Sequence, residues 1–246
     1  MVDRDDLNHY CNQYLSVSKY KDYCPNGLQV EGSQTINKIV SGVSANLDFI
    51  ELAIAEQADA IFVHHGIFWE NESNVIVGSK KKKIDLLLKN EINLFAYHLP
   101  LDDHPEVGNN VQLGRALGIK NIRPVDSSLL WQGELNSDLK TFSSLIEKQL
   151  GRAPHIFGRL SGPLNSIAWC TGGAQGFIDE AISLKSDVYL SGEVSERTPA
   201  VAKENDMIYI SAGHHATERY GVQSLTKHLS SKFNLKHKFL EVENSV

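Results

Sequence analysis

Adjacent histidines, His64 and His65, close the apolar run Ala60-Ile61-Phe62-Val63 and are followed by Gly66. In an α/β sheet the carboxyl end of a strand is where ligands bind, so two imidazoles there point to chemistry before packing. A second cluster, in AYHLPLDDH, offers His98, Asp102, Asp103 and His104, again just beyond an apolar run. A third, in GHHATE, sets His214 and Glu218 four residues apart, on one face if the stretch is helical. Imidazole with carboxylate and no thiolate suits zinc, iron, manganese, nickel or cobalt, and speaks against a structural cysteine-type zinc site. On an extended backbone the side chains of His64 and His65 leave in opposite directions, which suits two neighbouring metals better than one shared ion. Two ions about 3.5–4 Å apart would activate a bridging water and polarise a substrate oxygen. Three His/carboxylate clusters, each behind an apolar strand, imply one site assembled from several strand ends.

The elements that must position them alternate between strand and helix periodicity. Apolar spacing predicts a helix over 5–15, a β-branched strand over 36–43, a helix over 47–57 and the strand over 60–63. A helix over 84–88, a strand over 94–97 and a helix over 139–150 follow, while 23–32 and the stretch up to Pro163 read as turn and loop. The segment INKIVSGVSANLDFIELAIAEQADAIFVHH can be laid on LNSIAWCTGGAQGFIDEAISLKSDVYLSGE at a constant offset of 128 residues. Identities then fall at Asn37/Asn165, Ile39/Ile167, Phe49/Phe177, Ile50/Ile178, Ala53/Ala181, Ile54/Ile182 and Asp59/Asp187, and Glu193 takes the place of His65. At an offset of 116, His98-x3-Asp102 matches His214-x3-Glu218, a spacing of polar residues that core periodicity does not explain. A change of composition over 123–128 predicts two halves, 1–124 and 125–246, with the segment from about 205 to 246 packing with the first. Lys80 to Lys83 reads as a solvated helix start.

Composition narrows the classes. The 246 residues carry 24 Lys+Arg against 30 Asp+Glu, a formal charge of −6, which argues against a dedicated nucleic-acid binder. Cys11, Cys24 and Cys170 lack CxxC spacing and read as packing residues of a protein from a reducing compartment, the cytoplasm. The N-terminus is polar and acidic, unlike a signal peptide, and no apolar stretch approaches the ~20 residues that span a bilayer.

Through VHHGIFW, AYHLPLDDHPEVGNN, SGEVSE and GHHATERYGV the chain resembles, over essentially its whole length, the dinuclear-metal Nif-three-like family. That family includes bacterial GTP cyclohydrolase I type 2 homologues, of which this sequence is similar to the short form. The resemblance implies two intertwined, repeat-related α/β halves with mixed sheets, the metal site between them, and a ring-shaped homohexamer. Carried over by motif, the ligands of two divalent ions (Fe, Zn, Mn, Ni, Co or Mg) are His64, His65, Asp102, His214 and Glu218. The family set omits His98, which is assigned to proton transfer or to support of the ligands, and Glu193 is a candidate general base; His104 and His215 are weaker candidates. The implied activity is metal-dependent hydrolysis of a nucleotide-like, small, anionic substrate. GTP itself rests on the family name alone, since the chain has neither a Walker-type glycine loop nor an Arg clamp. The alternative is a non-enzymatic metal-containing ring assembly protein linked to DNA-damage or stress response, with nucleic acid as a partner only if lysines collect on one face of the ring.

Overall fold

The computed structural model describes all 246 residues. The fold is mixed α/β, and the chain forms two compact units, each built from two segments: Met1–Gly108 with Gly221–Glu243, and Asn109–Tyr220 with Asn244–Val246. The compositional change near 124 therefore lies inside the second unit, where strand Lys120–Pro124 pairs antiparallel with Trp131–Asp138.

In the first unit a five-stranded sheet runs in the order Lys236–Phe239, Lys38–Ser44, Ala60–His65, Asn93–Ala96, Gly27–Val30, parallel except for the last strand. Central parallel strands covered on both faces should be apolar at nearly every position rather than at alternate ones. Ile39, Phe62 and Phe95 pack on one face with Leu7, Cys11, Val222, Leu225 and Leu229. Val40, Ile61, Val63 and Leu94 pack on the other with Phe49, Ile50, Ala53 and Leu87. Helix Leu47–Ala55 starts where the Asn46 side chain accepts the Phe49 N–H at 2.8 Å, so the turn leaving strand Lys38–Ser44 is fixed by a cap. It lies so close to that strand that a Cβ on Gly42 would fall 2.4 Å from the Phe49 ring.

The second unit carries six strands in the order Lys120–Pro124, Trp131–Asp138, Pro163–Trp169, Val188–Ser191, Ile208–Ser211, His155–Gly158, with the third to fifth mutually parallel. Helix Leu139–Leu150 buries Phe142, Ile146 and Leu150 on one face of this sheet with Trp169 and Leu190. Ile178, Ala181 and Ala202 cover the other with Tyr189 and Tyr209.

The internal repeat is structural. Ile39 pairs with Ala60 and Ile167 with Val188, the same register displaced by 128 residues at both partners. Asp59 Oδ2 accepts the backbone N–H groups of Asn37 and Lys38 at 2.8 and 2.9 Å. Asp187 Oδ2 accepts those of Asn165 and Ser166 at 2.9 and 3.0 Å, the equivalent positions. Shared apolar periodicity would not reproduce that polar clamp.

Two stretches read as loop contain strands, Gly27–Val30 and His155–Gly158. Both are four-residue antiparallel edge strands, and with only one neighbour to pair with they need no apolar alternation that a sequence reader could see.

Candidate metal-binding clusters

In the first unit, strand Ala60–His65 ends on the histidine pair, and Ser44, at the end of the neighbouring strand, stands opposite His65. His64 is fully buried, with Nδ1 2.9 Å from the Tyr97 carbonyl. A carbonyl only accepts, so Nδ1 carries a proton and Nε2 is the ring nitrogen that faces a ligand. That Nε2 lies 3.4 Å from Asp102 Oδ1. His65 places Nδ1 3.0 Å from the Ser44 hydroxyl.

The two rings do not diverge as strand alternation predicts: their centroids are 4.7 Å apart. Alternation fixes the Cβ directions, but the ring positions follow from side-chain torsions and from what each Nδ1 bonds.

Asp102 sits in the short helix Leu99–Asp103, started by Pro100 and by the His98 carbonyl, which accepts the N–H groups of Leu101 and Asp102 at 2.7 and 3.1 Å. This turn holds a carboxylate that is 7% exposed. His98 joins the same cluster: the ligand atoms of His64, His65 and His98 all lie within 4.8 Å of one another. Its Nδ1 is 2.9 Å from Asp22 Oδ1. Asp22 also accepts from Asn26 Nδ2 at 2.9 Å and from the Leu99 N–H at 3.0 Å. Burial opposes its charge, but His98, Asn26 and the Leu99 amide outweigh it and hold the carboxyl down to about 2. Tyr23 and Trp69 stand edge-on to the His98 ring at 4.9 and 5.3 Å.

The neighbours of these residues face elsewhere. His104 Nε2 lies 3.1 Å from the Tyr14 carbonyl while its Nδ1 accepts the N–H groups of Glu106 and Val107, and Asp103 accepts the Tyr20 hydroxyl at 2.9 Å. Cys24, beside Asp22, keeps its proton because burial raises the thiol pKa. None of the three cysteines forms a disulfide, and all three are buried.

In the second unit His214 opens the short helix His214–Thr217 and Glu218 ends it. His214 stands between two carboxylates, Nδ1 2.7 Å from Glu193 Oε1 and Nε2 3.2 Å from Glu218 Oε2. Burial lowers its pKa, but Glu218 and Glu193 outweigh burial and raise it to about 9. Glu193 further accepts Gln175 Nε2 at 3.3 Å, so its carboxylate orients the His214 ring from behind. Glu218 is 2% exposed and is cradled by the turn after strand Pro163–Trp169. There the Gly172 N–H donates to the Thr217 hydroxyl at 3.0 Å, and a Cβ on Gly172, at φ +69, would meet Glu218 Oε1 at 2.1 Å. The backbone N–H of His215 donates to the Val246 carbonyl at 3.0 Å.

These buried His, Asp and Glu clusters could hold metal ions by the chemistry of their donors. Sequence reading missed Asp22 and Trp69. Asp22 lies in a turn-rich stretch without periodicity, and its tie to His98 spans 76 positions.

The sequence profile of the Duf34/NIF3 family (NGG1p interacting factor 3) matches residues 2–245. A protein of Allochromatium vinosum named GTP cyclohydrolase 1 type 2 homolog is 48% identical over 99% of this chain and 98% of its own length. One of the same name from Pseudomonas aeruginosa is 47% identical over 95% and 94%. Among solved structures, the protein ybgI, described as of unknown function, superposes with a TM-score of 0.95 at 42% identity, covering 100% of both chains. A protein from Thermus thermophilus superposes at 0.93 with 32% identity, also over 100% of both. No helix is long and apolar enough to cross a membrane.

Proposed function

Because this chain belongs to the Duf34/NIF3 family, we propose that it holds two divalent metal ions through His64, His65, Asp102, His214 and Glu218 and uses them to hydrolyse a small, anionic, nucleotide-like substrate. One observation carries this reading. In each unit, taken by itself, a histidine has its Nδ1 bound by an acceptor, the Tyr97 carbonyl for His64 and Glu193 for His214. Each also has its Nε2 turned to a buried carboxylate, Asp102 at 3.4 Å and Glu218 at 3.2 Å. An imidazole oriented from behind and paired with a carboxylate in front is the arrangement that metal ligation uses.

The donor set fits hard-to-borderline divalent ions, and burial keeps the Cys24 thiol beside it protonated in the metal-free chain. When bound, such ions supply Lewis acidity and a nucleophile drawn from water. The chain's residues supply the rest. Glu193 and the Tyr97 carbonyl fix ring orientation, and Gly172 leaves room for the Glu218 carboxylate. His98, held by an ionised Asp22, stands within reach of His64 and His65 to position a substrate group or pass a proton. The names of the curated relatives favour a purine nucleotide as substrate, and the resemblance to the family favours a homohexamer.

The test counts metal per subunit in the purified chain and in the His64→Ala/His214→Ala/Glu218→Gln triple variant. About two ions are expected in the wild type and none in the variant, and an unchanged count overturns the ligand assignment. A metal-supplemented screen of nucleotides for release of formate, phosphate or ammonia tests the hydrolase; no release from any nucleotide overturns it.

A further inference from the structure

The lysine run at 80–83 reads in the sequence as a solvated helix start, and Lys81 and Lys82 are indeed exposed. Lys80 and Lys83 are not: three residues apart on helix Gly78–Lys89, both are half-buried. They line a cavity of about 110 Å³ with Ser79, Glu72, Trp69 and Gly66. Two of these residues tie the cavity to the imidazole cluster. Gly66 directly follows His65, and the Trp69 ring lies 5.8 Å from that of His65 and 5.3 Å from that of His98.

The charges lining the cavity are unbalanced. Lys80 Nζ is engaged by Glu72 Oε2 at 3.3 Å and by the Ser73 carbonyl at 2.8 Å, and it sits over the Phe68 ring. Glu72 is thus largely committed to Lys80, and it is the one acidic side chain against two ammonium groups in the lining. Burial holds the Lys83 amine below the ordinary lysine value, with Glu72 opposing and Lys80 adding. A desolvated ammonium whose cost is incompletely offset gains most from an anion brought against it. The first turn of helix Gly78–Lys89 also points here through Ser79 and has no side-chain cap from Val77, so its backbone dipole adds positive potential.

We propose that this cavity is a subsite for a phosphoryl group of the substrate, held by Lys83 and by Lys80, which the anion shares with Glu72. The inference rests on the reading of the imidazole cluster as the reaction site, and it narrows the substrate to a phosphorylated compound whose reacting part reaches across Trp69.

Inorganic phosphate is the probe, titrated calorimetrically into the full chain, both metal-loaded and chelator-treated. Lys83→Gln weakens phosphate binding about tenfold or more, the loss of one charge-assisted contact. Glu72→Gln tightens it, because the anion no longer competes for Lys80; a purely structural Glu72–Lys80 pair would give no such gain. The exposed pair Lys81→Gln/Lys82→Gln changes it by less than about twofold, since solvent and salt screen those charges. The same order of affinities holds in chelator-treated protein, because the subsite is made of the chain alone. Binding that is insensitive to both Lys83→Gln and Glu72→Gln, or that falls equally in the Lys81/Lys82 pair, overturns the subsite. Metal counted in the same samples separates the two readings: absent metal with the order intact removes the metal centre and leaves the subsite, and normal metal with flat affinities does the reverse.

Discussion

Replacing Gly172 by alanine tests whether the turn after strand Pro163–Trp169 is shaped around the Glu218 carboxylate. Two costs combine at this position. The backbone is left-handed at φ +69, which costs a residue bearing a Cβ about 1–2 kcal/mol. The new Cβ also falls 2.1 Å from Glu218 Oε1, so the buried carboxylate must shift, an overpacking cost of roughly 1–3 kcal/mol. The sum is about 2–5 kcal/mol, a fall in Tm of roughly 5–20 °C for a chain of this length. Two other glycines separate the contributions. Gly151, at φ +73 with nothing within 4 Å of its Cβ, carries the backbone cost alone, and Gly176 carries neither. Thermal and urea unfolding in chelator should rank Gly172→Ala well below Gly151→Ala, with Gly176→Ala unchanged or slightly stabilised. Metal titration should then show affinity lowered roughly 10–100-fold in Gly172→Ala alone. Equal stability and equal metal affinity for Gly172→Ala and Gly151→Ala would refute the reasoning, since the collision with Glu218 would then have no consequence.

The repeat makes a paired prediction: Asp59→Ala and Asp187→Ala each orphan two backbone N–H groups and should each cost about 1–3 kcal/mol in urea unfolding, and a value near zero for either would remove the clamp from the account of the repeat. His214 predicts a pH dependence of the metal-free chain. Its folded pKa of about 9 lies above the ordinary histidine value, so its contribution to stability is full below about 6.5 and is lost as pH rises towards 9. Glu193→Gln should flatten that decline and lower the His214 pKa read by NMR; an unmoved pKa would separate Glu193 from the ring it touches. In the metal-loaded chain Glu193→Gln should weaken metal binding by roughly tenfold while leaving far-ultraviolet dichroism unchanged.

The architecture was legible in the sequence wherever burial imposes a period. Helix Leu139–Leu150 falls where its apolar spacing places it, and strand Ala60–His65 announces itself through the continuous apolar run Ala60-Ile61-Phe62-Val63 because both of its faces are covered, as strand Lys38–Ser44 does through its β-branched residues. The edge strands Gly27–Val30 and His155–Gly158 did not announce themselves, because pairing along a single edge imposes no period.

The candidate site divides along a similar line. Residue type and covalent spacing determined by themselves which side chains can bind a cation, that they follow strands, and that the strand-helix-strand pattern recurs at an offset of 128. Those properties are local, and they are written in the order of the residues. Which ring nitrogen is tied and which is left to a ligand was decided by the tertiary structure. The partners responsible are the Tyr97 carbonyl, 33 positions from His64, Asp22, 76 positions from His98, and Glu193, 21 positions from His214. The turning of Lys80 and Lys83 towards Trp69, while Lys81 and Lys82 face water, was settled in the same way. A hydrogen bond needs its donor and acceptor within about 3 Å at the correct angle, and only the folded backbone brings groups so distant along the chain to that distance.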